Sequence, residues 1–181
     1  MITIMFDWRH LFDQAPRRTV RMGETLFRQG DPVRYMYLVR SGEVVLERPL
    51  AEGSTLTLHV AGAEMPVAEA SLFADTYHCD AVARTVSVVS ATARTAFVAA
   101  VRQDPDAALG LIQTHAMEVQ AQRTRIEILR LRRVADRLDA WLALNGAPAH
   151  REWIRVADQI GVSPAALYRE LARRRRLTGQ V

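Results

Sequence analysis

Four consecutive arginines, Arg173 to Arg176, form the densest run of charge in the chain. Successive residues of a helix are about 100° apart, so four adjacent side chains surround the helix and cannot all face a core. Guanidinium groups bind phosphate through paired hydrogen bonds, and Arg169, one turn earlier, has the side chain that binds O6 and N7 of guanine. The run therefore predicts either a solvated helix end or a surface that contacts a polyanion.

A second group of reactive side chains lies in the middle of the chain, where His78, Cys79 and Asp80 are consecutive. Histidine and cysteine thiolate are common haem ligands. Spacing alone does not make a ligand set, and ordinary packing with surface exposure accounts for the same residues. Cys79 is the only cysteine, which excludes an internal disulfide and an iron–sulfur cluster that needs about four thiolates from one chain.

The composition limits the class of protein. The 181 residues suffice for one large domain or two small ones, and 49% apolar residues is ordinary for a soluble fold. No apolar run reaches the roughly 18 residues of a transmembrane helix. Asp7, Arg9 and His10 interrupt the start of the chain, where a signal peptide has its apolar segment. We therefore expect a cytoplasmic protein without a membrane segment.

Charge is divided unevenly along the chain, and all 24 basic residues are arginine. Residues 1–106 carry 11 Arg against 13 Asp plus Glu, a net charge of −2, whereas residues 107–181 carry 13 against 7, a net charge of +6. The asymmetry predicts an acidic or neutral first part joined to a second part that meets a polyanion.

A long helix is predicted to begin after Asp104, because this residue and Pro105 form an N-cap and a proline at the first helical position. Continued to Arg130, the helix would extend about 39 Å. Apolar residues recur along one side: Ile112, Ala116, Val119, Ile126 and Leu129. We predict that this stripe is the seam of a homodimer. The alternative is a core helix within its own chain, although the polar residues 122–125 interrupt the stripe for one turn.

Short runs rich in valine, threonine and aromatic residues precede this helix. Turn residues such as Gly30 and Gly42 separate them. The predicted strands cover residues 25–27, 35–39, 43–47, 55–60 and 80–91, and residues 94–102 are predicted to be helical. The first half of the chain is therefore predicted to be mostly antiparallel sheet.

The C-terminal residues have the pattern of a helix-turn-helix. A helix is predicted over 153–160, Gly161 permits a tight turn, and Ser163 with Pro164 starts a second helix over 165–176. The second helix of such a motif lies in the major groove beside the phosphate backbone, which favours DNA contact for the arginine run. The residues predicted to meet double-stranded DNA are Ser163, Tyr168, Arg169, Arg173, Arg174, Arg175 and Arg176.

Residues 23–31, GETLFRQGD, and residues 37–44, YLVRSGEV, resemble the opening of the cyclic-nucleotide-binding β-roll. With the long helix and the helix-turn-helix, the whole chain resembles transcription regulators of the cyclic-AMP receptor protein and FNR family. The resemblance implies an α+β fold made of an antiparallel β-roll (jelly roll), a long dimerisation helix and a small helix-turn-helix domain. The implied domains are a sensor at 1–103, a dimerisation helix at 104–130 and a DNA-binding domain at 131–181.

Relatives that bind cyclic AMP hold its phosphate with a Gly-Glu turn, an arginine, a small hydroxyl residue and an alanine. We call the corresponding residues 68–81 the cassette. Glu69 and Ala81 match this pattern, but Ala68 replaces the glycine, Cys79 the arginine and Asp80 the hydroxyl residue. At about 4 Å and an effective dielectric near 20, a carboxylate would repel the phosphate by about 4 kcal/mol. We therefore predict that cyclic AMP does not bind.

The sequence does not identify another effector. The sensor binds either an unknown small molecule or none. The predicted effector pocket contains Glu69, His78, Cys79 and Asp80. Because gas-sensing relatives of the family bind haem, a haem at His78 or Cys79 is a hypothesis beside ordinary packing. No other cofactor and no metal site is predicted.

The resemblance transfers less well to the DNA-reading residues. Arg169 matches an arginine that relatives aim at guanine, but Pro164 and Ala165 stand where relatives carry polar readers, and Glu170 and Arg174 replace apolar residues. The chain stops at residue 181, where relatives continue into a two-stranded wing, so we expect a truncated domain without a full wing.

Two functions from different classes follow from these patterns. The first is a homodimeric DNA-binding transcription regulator. The alternative is a non-DNA-binding sensor or interaction protein that dimerises with a full-length family member and modulates it. We expect no enzymatic activity and no catalytic residues, because the sequence lacks metal-ligand spacing, a nucleophile elbow and a phosphate-binding glycine loop.

Overall fold

A computed structural model of the chain describes residues 7–51, 53, 55–149 and 152–177. The chain divides into two units, Met1–Gln113 and Thr114–Val181. Residues 178–181, where the sequence predicted a missing wing, lie outside the described residues. None of the helices in the described ranges combines the length and the apolarity that crossing a bilayer requires.

The described elements include most of those predicted from the sequence, but residues 80–91 form two strands, and the strands at 17–20 and 66–67 were not predicted. The strands are β1 Arg17–Val20, β2 Thr25–Phe27, β3 Tyr35–Ser41, β4 Val44–Pro49, β5 Thr55–Ala61, β6 Pro66–Val67, β7 Asp80–Ala83 and β8 Ser87–Ala93. The α-helices are α1 Arg94–Gln103, α2 Pro105–Arg130, α3 Val134–Asn145, α4 Trp153–Gln159 and α5 Pro164–Leu177. Short 3-10 turns cover Arg9–Phe12 and Glu69–Ser71.

The strands form two four-stranded sheets with the orders β1-β8-β3-β6 and β2-β7-β4-β5. All the strand pairs in these sheets are antiparallel. The two sheets enclose an apolar core whose fully buried members include Val20, Leu38, Val44, Val67 and Val89. Burial of alternate β-branched and aromatic side chains is the interaction that favours sheet over helix here. The predicted α+β fold with an antiparallel jelly roll is confirmed.

Residues 8–12 pack against the roll through a short turn. Arg9–Phe12 is a single 3-10 turn, but Trp8 and Phe12 are 1% exposed and Phe12 packs against Phe97 with ring centroids 5.4 Å apart. Two large rings therefore anchor this segment to the roll, because burying each removes a large apolar area from water.

Helix α2 starts as predicted. Oδ1 of Asp104 accepts a hydrogen bond from the N–H of Ala107 at 2.9 Å, which is the N-cap contact. The other carboxylate oxygen lies 2.8 Å from Nε2 of His10. Both contacts lower the pKa of Asp104, the bond from Ala107 more than the one from His10.

The second unit has a core of its own. Leu138 of α3, Val156 and Ala157 of α4, Ile160, and Leu167 of α5 are at most 1% exposed and form one cluster with Ile128. Trp141 Nε1 donates a hydrogen bond to Oε1 of Gln159 at 2.7 Å, which ties α3 to α4. The cluster fixes the orientation of α5 within this unit.

Gly42 occupies the turn between β3 and β4 with a φ of +84°. A Cβ at this position would lie 2.6 Å from the carbonyl oxygen of Val86 and would also overlap Ser87. Gly23 provides a matched comparison, since its φ is +80° but no atom lies within 4 Å of its would-be Cβ. Both glycines avoid left-handed strain, and only Gly42 also makes a close backbone approach.

We predict that G42A destabilises the first unit more than G23A does. Left-handed backbone should cost each alanine variant about 1 kcal/mol. In G42A the segment around Val86 must also move, which should lower the free energy of unfolding by at least about 2 kcal/mol more. Urea unfolding followed by the fluorescence of Trp8, which is buried in this unit, measures both values. Equal losses in the two variants would contradict the role of the close contact.

Candidate nucleic-acid interface and sensor cassette

The cassette begins with a strained residue. Ala68 has a left-handed backbone, with a φ of +81°, and is 3% exposed. It precedes the 3-10 turn Glu69–Ser71, in which Glu69 is half-buried and Ser71 is buried. An L-residue in this conformation costs roughly 1–2 kcal/mol, which explains why glycine is favoured at such a turn.

His78 and Cys79 face opposite environments. The Cys79 side chain is 2% exposed within the apolar core, and burial raises the pKa of its thiol to about 11, so the thiol stays protonated near pH 7. His78 is exposed, and its Nδ1 lies 2.9 Å from Oγ of Ser71. A neutral buried thiol is a poor iron ligand, so Cys79 does not fit a haem. The described part of the chain holds no group of three or more His, Cys, Asp or Glu that could bind a metal ion.

Asp80 is built into the neighbouring turn. Its Oδ1 accepts a hydrogen bond of 2.7 Å from the N–H of Gln29. Asp80 is also the register partner of Glu47 across β7 and β4, so two carboxylates stand opposite each other on the sheet. The nearby Arg48 donates to the carbonyl oxygen of His78 at 3.2 Å. The surroundings of the cassette thus present acidic side chains and an arginine bonded to the backbone.

The helix-turn-helix consists of α4 and α5. Ser163 caps α5, since its Oγ accepts a hydrogen bond of 3.2 Å from the N–H of Ala166. Gly161 has a φ of +65°, and a Cβ there would lie 2.5 Å from Cδ2 of Leu129. The glycine therefore permits both the turn and the close approach of the end of α2.

Three arginines share the outer face of α5. Arg169, Arg173 and Arg176 are spaced by four and three residues, and with Ala172 they line a shallow concave surface. Leu167 is fully buried on the opposite side of the helix. We call Arg169, Arg173 and Arg176 the outer stripe. Tyr168 is 48% exposed, and Arg175 is exposed beside the stripe.

Arg174 lies differently from its neighbours. Its Nη1 contacts Oδ1 of Asp139 at 2.5 Å, its Nη2 donates to the carbonyl oxygen of Ala135 at 2.9 Å, and its Nε donates to Glu170 at 2.8 Å. Only 26% of its side chain is exposed. The four arginines therefore do not form one uniform charged surface: Arg174 points towards α3.

Arg137 joins three segments of the second unit through one guanidinium. It donates hydrogen bonds to the carbonyl oxygens of Leu129 at 3.1 Å, Leu131 at 2.8 Å, Ile160 at 3.1 Å and Gly161 at 3.2 Å. These carbonyls lie at the ends of α2 and α4, where no helical N–H is available to them. A single positive side chain thereby satisfies two helix C-termini.

The predicted seam on α2 is largely exposed. Ile112, Val119 and Ile126 are 64%, 49% and 53% exposed, and Ala116 is also exposed. Leu129 is the exception, since it is half-buried against the Gly161 turn. Leu109, 47% exposed, extends the stripe by one turn at the other end.

Residues 17–104 match the family described as "Cyclic nucleotide-binding domain". The match covers slightly less than half of the 181 residues. The domain accounts for the two sheets and α1, and Asp104 is the last matched residue. No curated protein matches the sequence.

Solved structures extend the likeness to both units. FixK2 from Bradyrhizobium japonicum is 17% identical with a TM-score of 0.72, covering 91% of this chain and 86% of its own. The c-di-GMP responsive global regulator CLP of Xanthomonas campestris is 21% identical with a TM-score of 0.66, covering 93% and 90%. The Thermus thermophilus Catabolite Activator Protein is 24% identical with a TM-score of 0.54, covering 94% and 82%. The chain therefore shares the fold of these three proteins, which is the fold that the sequence resemblance predicted.

The structure buries the predicted pocket residues to different degrees. Glu69 and Asp80 lie near enough to Cys79 to influence its thiol, but Cys79 is buried, His78 is exposed, and Glu69 and Asp80 are half-buried. Arg137 was missed by sequence reasoning. No distinguishing signal was present in the sequence, because an arginine that flanks the apolar face of a helix is equally typical of a solvated residue.

We predict that R137M destabilises the second unit by about 2 kcal/mol or more, since hydrogen bonds from a charged donor are among the stronger ones and four carbonyls lose their partner. R132M, which removes an exposed arginine of the same connecting segment, is the control and should have little effect. Urea unfolding followed by the fluorescence of Trp141 and Trp153 measures both variants. A loss no larger in R137M than in R132M would show that water replaces the guanidinium without cost.

Proposed function

We propose that this protein is a homodimeric, DNA-binding transcription regulator of the cytoplasm. Its proposed parts are a sensor at 1–103, a dimerisation helix at 104–130 and a DNA-binding domain at 131–181. The observation that carries the proposal is the outer stripe, three arginines on the exposed face of the second helix of a helix-turn-helix. A helix in this position meets the phosphate backbone and the major groove, and arginine binds both phosphate and guanine.

Ser163, Tyr168, Arg169, Arg173, Arg175 and Arg176 are the residues that we propose to contact DNA. Arg169, near the middle of α5, is the base reader, since it matches the guanine-binding arginine of relatives and its Nε donates only a long bond of 3.3 Å to the carbonyl oxygen of Ala165. Arg173 and Arg176 follow on the same face and reach phosphates. Ser163, at the helix N-terminus, places the first N–H groups of α5 near a phosphate.

Dimerisation is supported by the exposed face of α2. Leu109, Ile112, Ala116, Val119 and Ile126 are separated by three, four, three and seven residues, the spacing of a helix that pairs with another helix. A second copy of the chain is the proposed occupant, because two-fold pairing also places two recognition helices about 34 Å apart for successive half-sites. Arg123 falls within the same stripe and would fix the register at some loss of stability.

We predict that I112E weakens the dimer at least tenfold, because it places a carboxylate in the seam, and that it lowers affinity for a two-fold symmetric site selected from random DNA. M117E is the matched control, since Met117 is as exposed as Ile112, at 64%, but lies on another face of α2. Analytical ultracentrifugation and gel shifts measure the two effects.

Two results would count against this proposal. A wild-type chain that sediments as a monomer at cellular concentration would contradict the proposed homodimer seam on α2. A dimer that enriches no DNA site even at low salt would favour the alternative, a non-DNA-binding protein that pairs with a full-length family member.

The sensor is proposed to bind no cyclic AMP. The support is the buried neutral thiol of Cys79 where relatives have arginine, and the carboxylate of Asp80 fixed to the Gln29 N–H where relatives have a hydroxyl. A phosphate would there lose a charge-assisted bond and gain a repulsion. The effector is then another small molecule or none.

We predict that isothermal titration of the purified protein with cyclic AMP gives no saturable heat. The expected dissociation constant is weaker than about 1 mM, because the loss of a guanidinium contact and the added repulsion together exceed the few kcal/mol that separate millimolar from micromolar binding. Titration into a relative that binds cyclic AMP controls for the ligand. A micromolar constant for this chain would overturn the prediction.

A further inference from the structure

A network of charged side chains connects the outer stripe to α3. Arg173 donates to both oxygens of Glu170, through Nε at 2.8 Å and Nη2 at 2.7 Å. Arg174 also donates to Glu170, at 2.8 Å, and continues to Asp139 and Ala135 of α3. One carboxylate thus receives two adjacent arginines of α5.

Burial makes Glu170 the fixed point of this network. Only 10% of its side chain is exposed, against 55% for Arg173 and 64% for Asp139. Chiefly the bond from Arg173, with that from Arg174, holds the pKa of Glu170 at about 2, so the group stays a carboxylate near neutral pH. A buried carboxylate without these donors would be costly, so Glu170 and its two arginine partners depend on one another.

The two arginines differ in what holds them. Arg174 binds oxygens on two helices, including a backbone carbonyl, and leaving them would free α5 from α3. Arg173 binds a carboxylate of its own helix three residues away and lies on the outer stripe. A phosphate oxygen is chemically equivalent to the carboxylate that Arg173 already binds.

We propose that Arg174 is a positioning residue that ties α5 to α3, and that Glu170 holds Arg173 on the outer stripe until a DNA phosphate replaces the carboxylate. The second part rests on the proposed function, and the first part does not. Within the arginine run, Arg174 thereby stabilises the fold, whereas Arg173 is available to bind DNA.

The salt dependence of DNA binding distinguishes these roles. R173M and R174M each remove one guanidinium and keep a side chain of similar reach. With a random-sequence duplex, R173M should lower the slope of log affinity against log salt by about 0.9, one phosphate contact, whereas R174M should leave the slope unchanged and lower the midpoint of thermal unfolding. An equal loss of slope in both variants would overturn the division of roles.

A thermal double-mutant cycle tests the tie to α3 without DNA and without relying on one variant. R174M and D139N should each lower the unfolding midpoint, and the double variant should lose clearly less than the sum of the two shifts. Additive shifts would contradict the contact. If the wild type binds no DNA, the proposed function fails while this cycle still decides the role of Arg174.

The exchange at Arg173 is tested with E170Q. Removing the carboxylate should raise affinity for the same duplex several-fold in the wild-type background, because Arg173 no longer has to leave a charged partner. In the R173M background the gain should largely disappear. A gain of equal size in both backgrounds would indicate general charge repulsion and would overturn the exchange.

Discussion

Bonds between guanidinium groups and oxygens at helix ends are the interaction on which the second unit depends. The apolar cluster around Leu138, Ile160 and Leu167 is small, and it leaves the carbonyls at the ends of α2 and α4 without helical partners. Arg137 supplies donors to those carbonyls, and Arg125 donates to the carbonyl oxygen of Asp158 at 3.0 Å. Since all the cations of the chain are arginines, the same residue type both holds the unit together and provides its charged surface.

The first unit is stabilised in a different way from the second. Its stability comes from apolar packing, including Phe27 stacked on Tyr77 with centroids 3.8 Å apart. Tyr77 also donates to the carbonyl oxygen of Tyr35 at 2.9 Å, so the buried hydroxyl is satisfied. Cys79 joins this core, and Asp80 and Glu47 lie opposite each other on neighbouring strands.

The sequence predicted the fold well because its strongest signals are local. Asp104 and Pro105 mark the start of α2, Ser163 and Pro164 mark that of α5, and the glycine turns mark the hairpins. The candidate sites were less predictable, because the direction of a side chain depends on partners distant in sequence. Nothing near Arg174 indicates that Asp139, 35 residues earlier, would bind it. The three-residue step from Ile126 to Leu129 likewise fits a stripe of apolar residues, but it also turns Leu129 away from the exposed face and towards Gly161.

The direction of the Leu129 side chain links the exposed face of α2 to the helix-turn-helix. Val119 and Ile126 lie on the same rigid helix as Leu129, whose side chain occupies the space that a Cβ at residue 161 would need. Arg137 binds the carbonyl oxygens of both Leu129 and Gly161, so the end of α2 and the helix-turn-helix turn share one set of donors. Because packed side chains and shared hydrogen bonds resist small displacements, a rotation of this end of α2 must also move the turn at Gly161. In the proposed homodimer, a change in how two α2 helices pair would therefore move the arginines of α5 together with the end of α2, without any new contact within the unit.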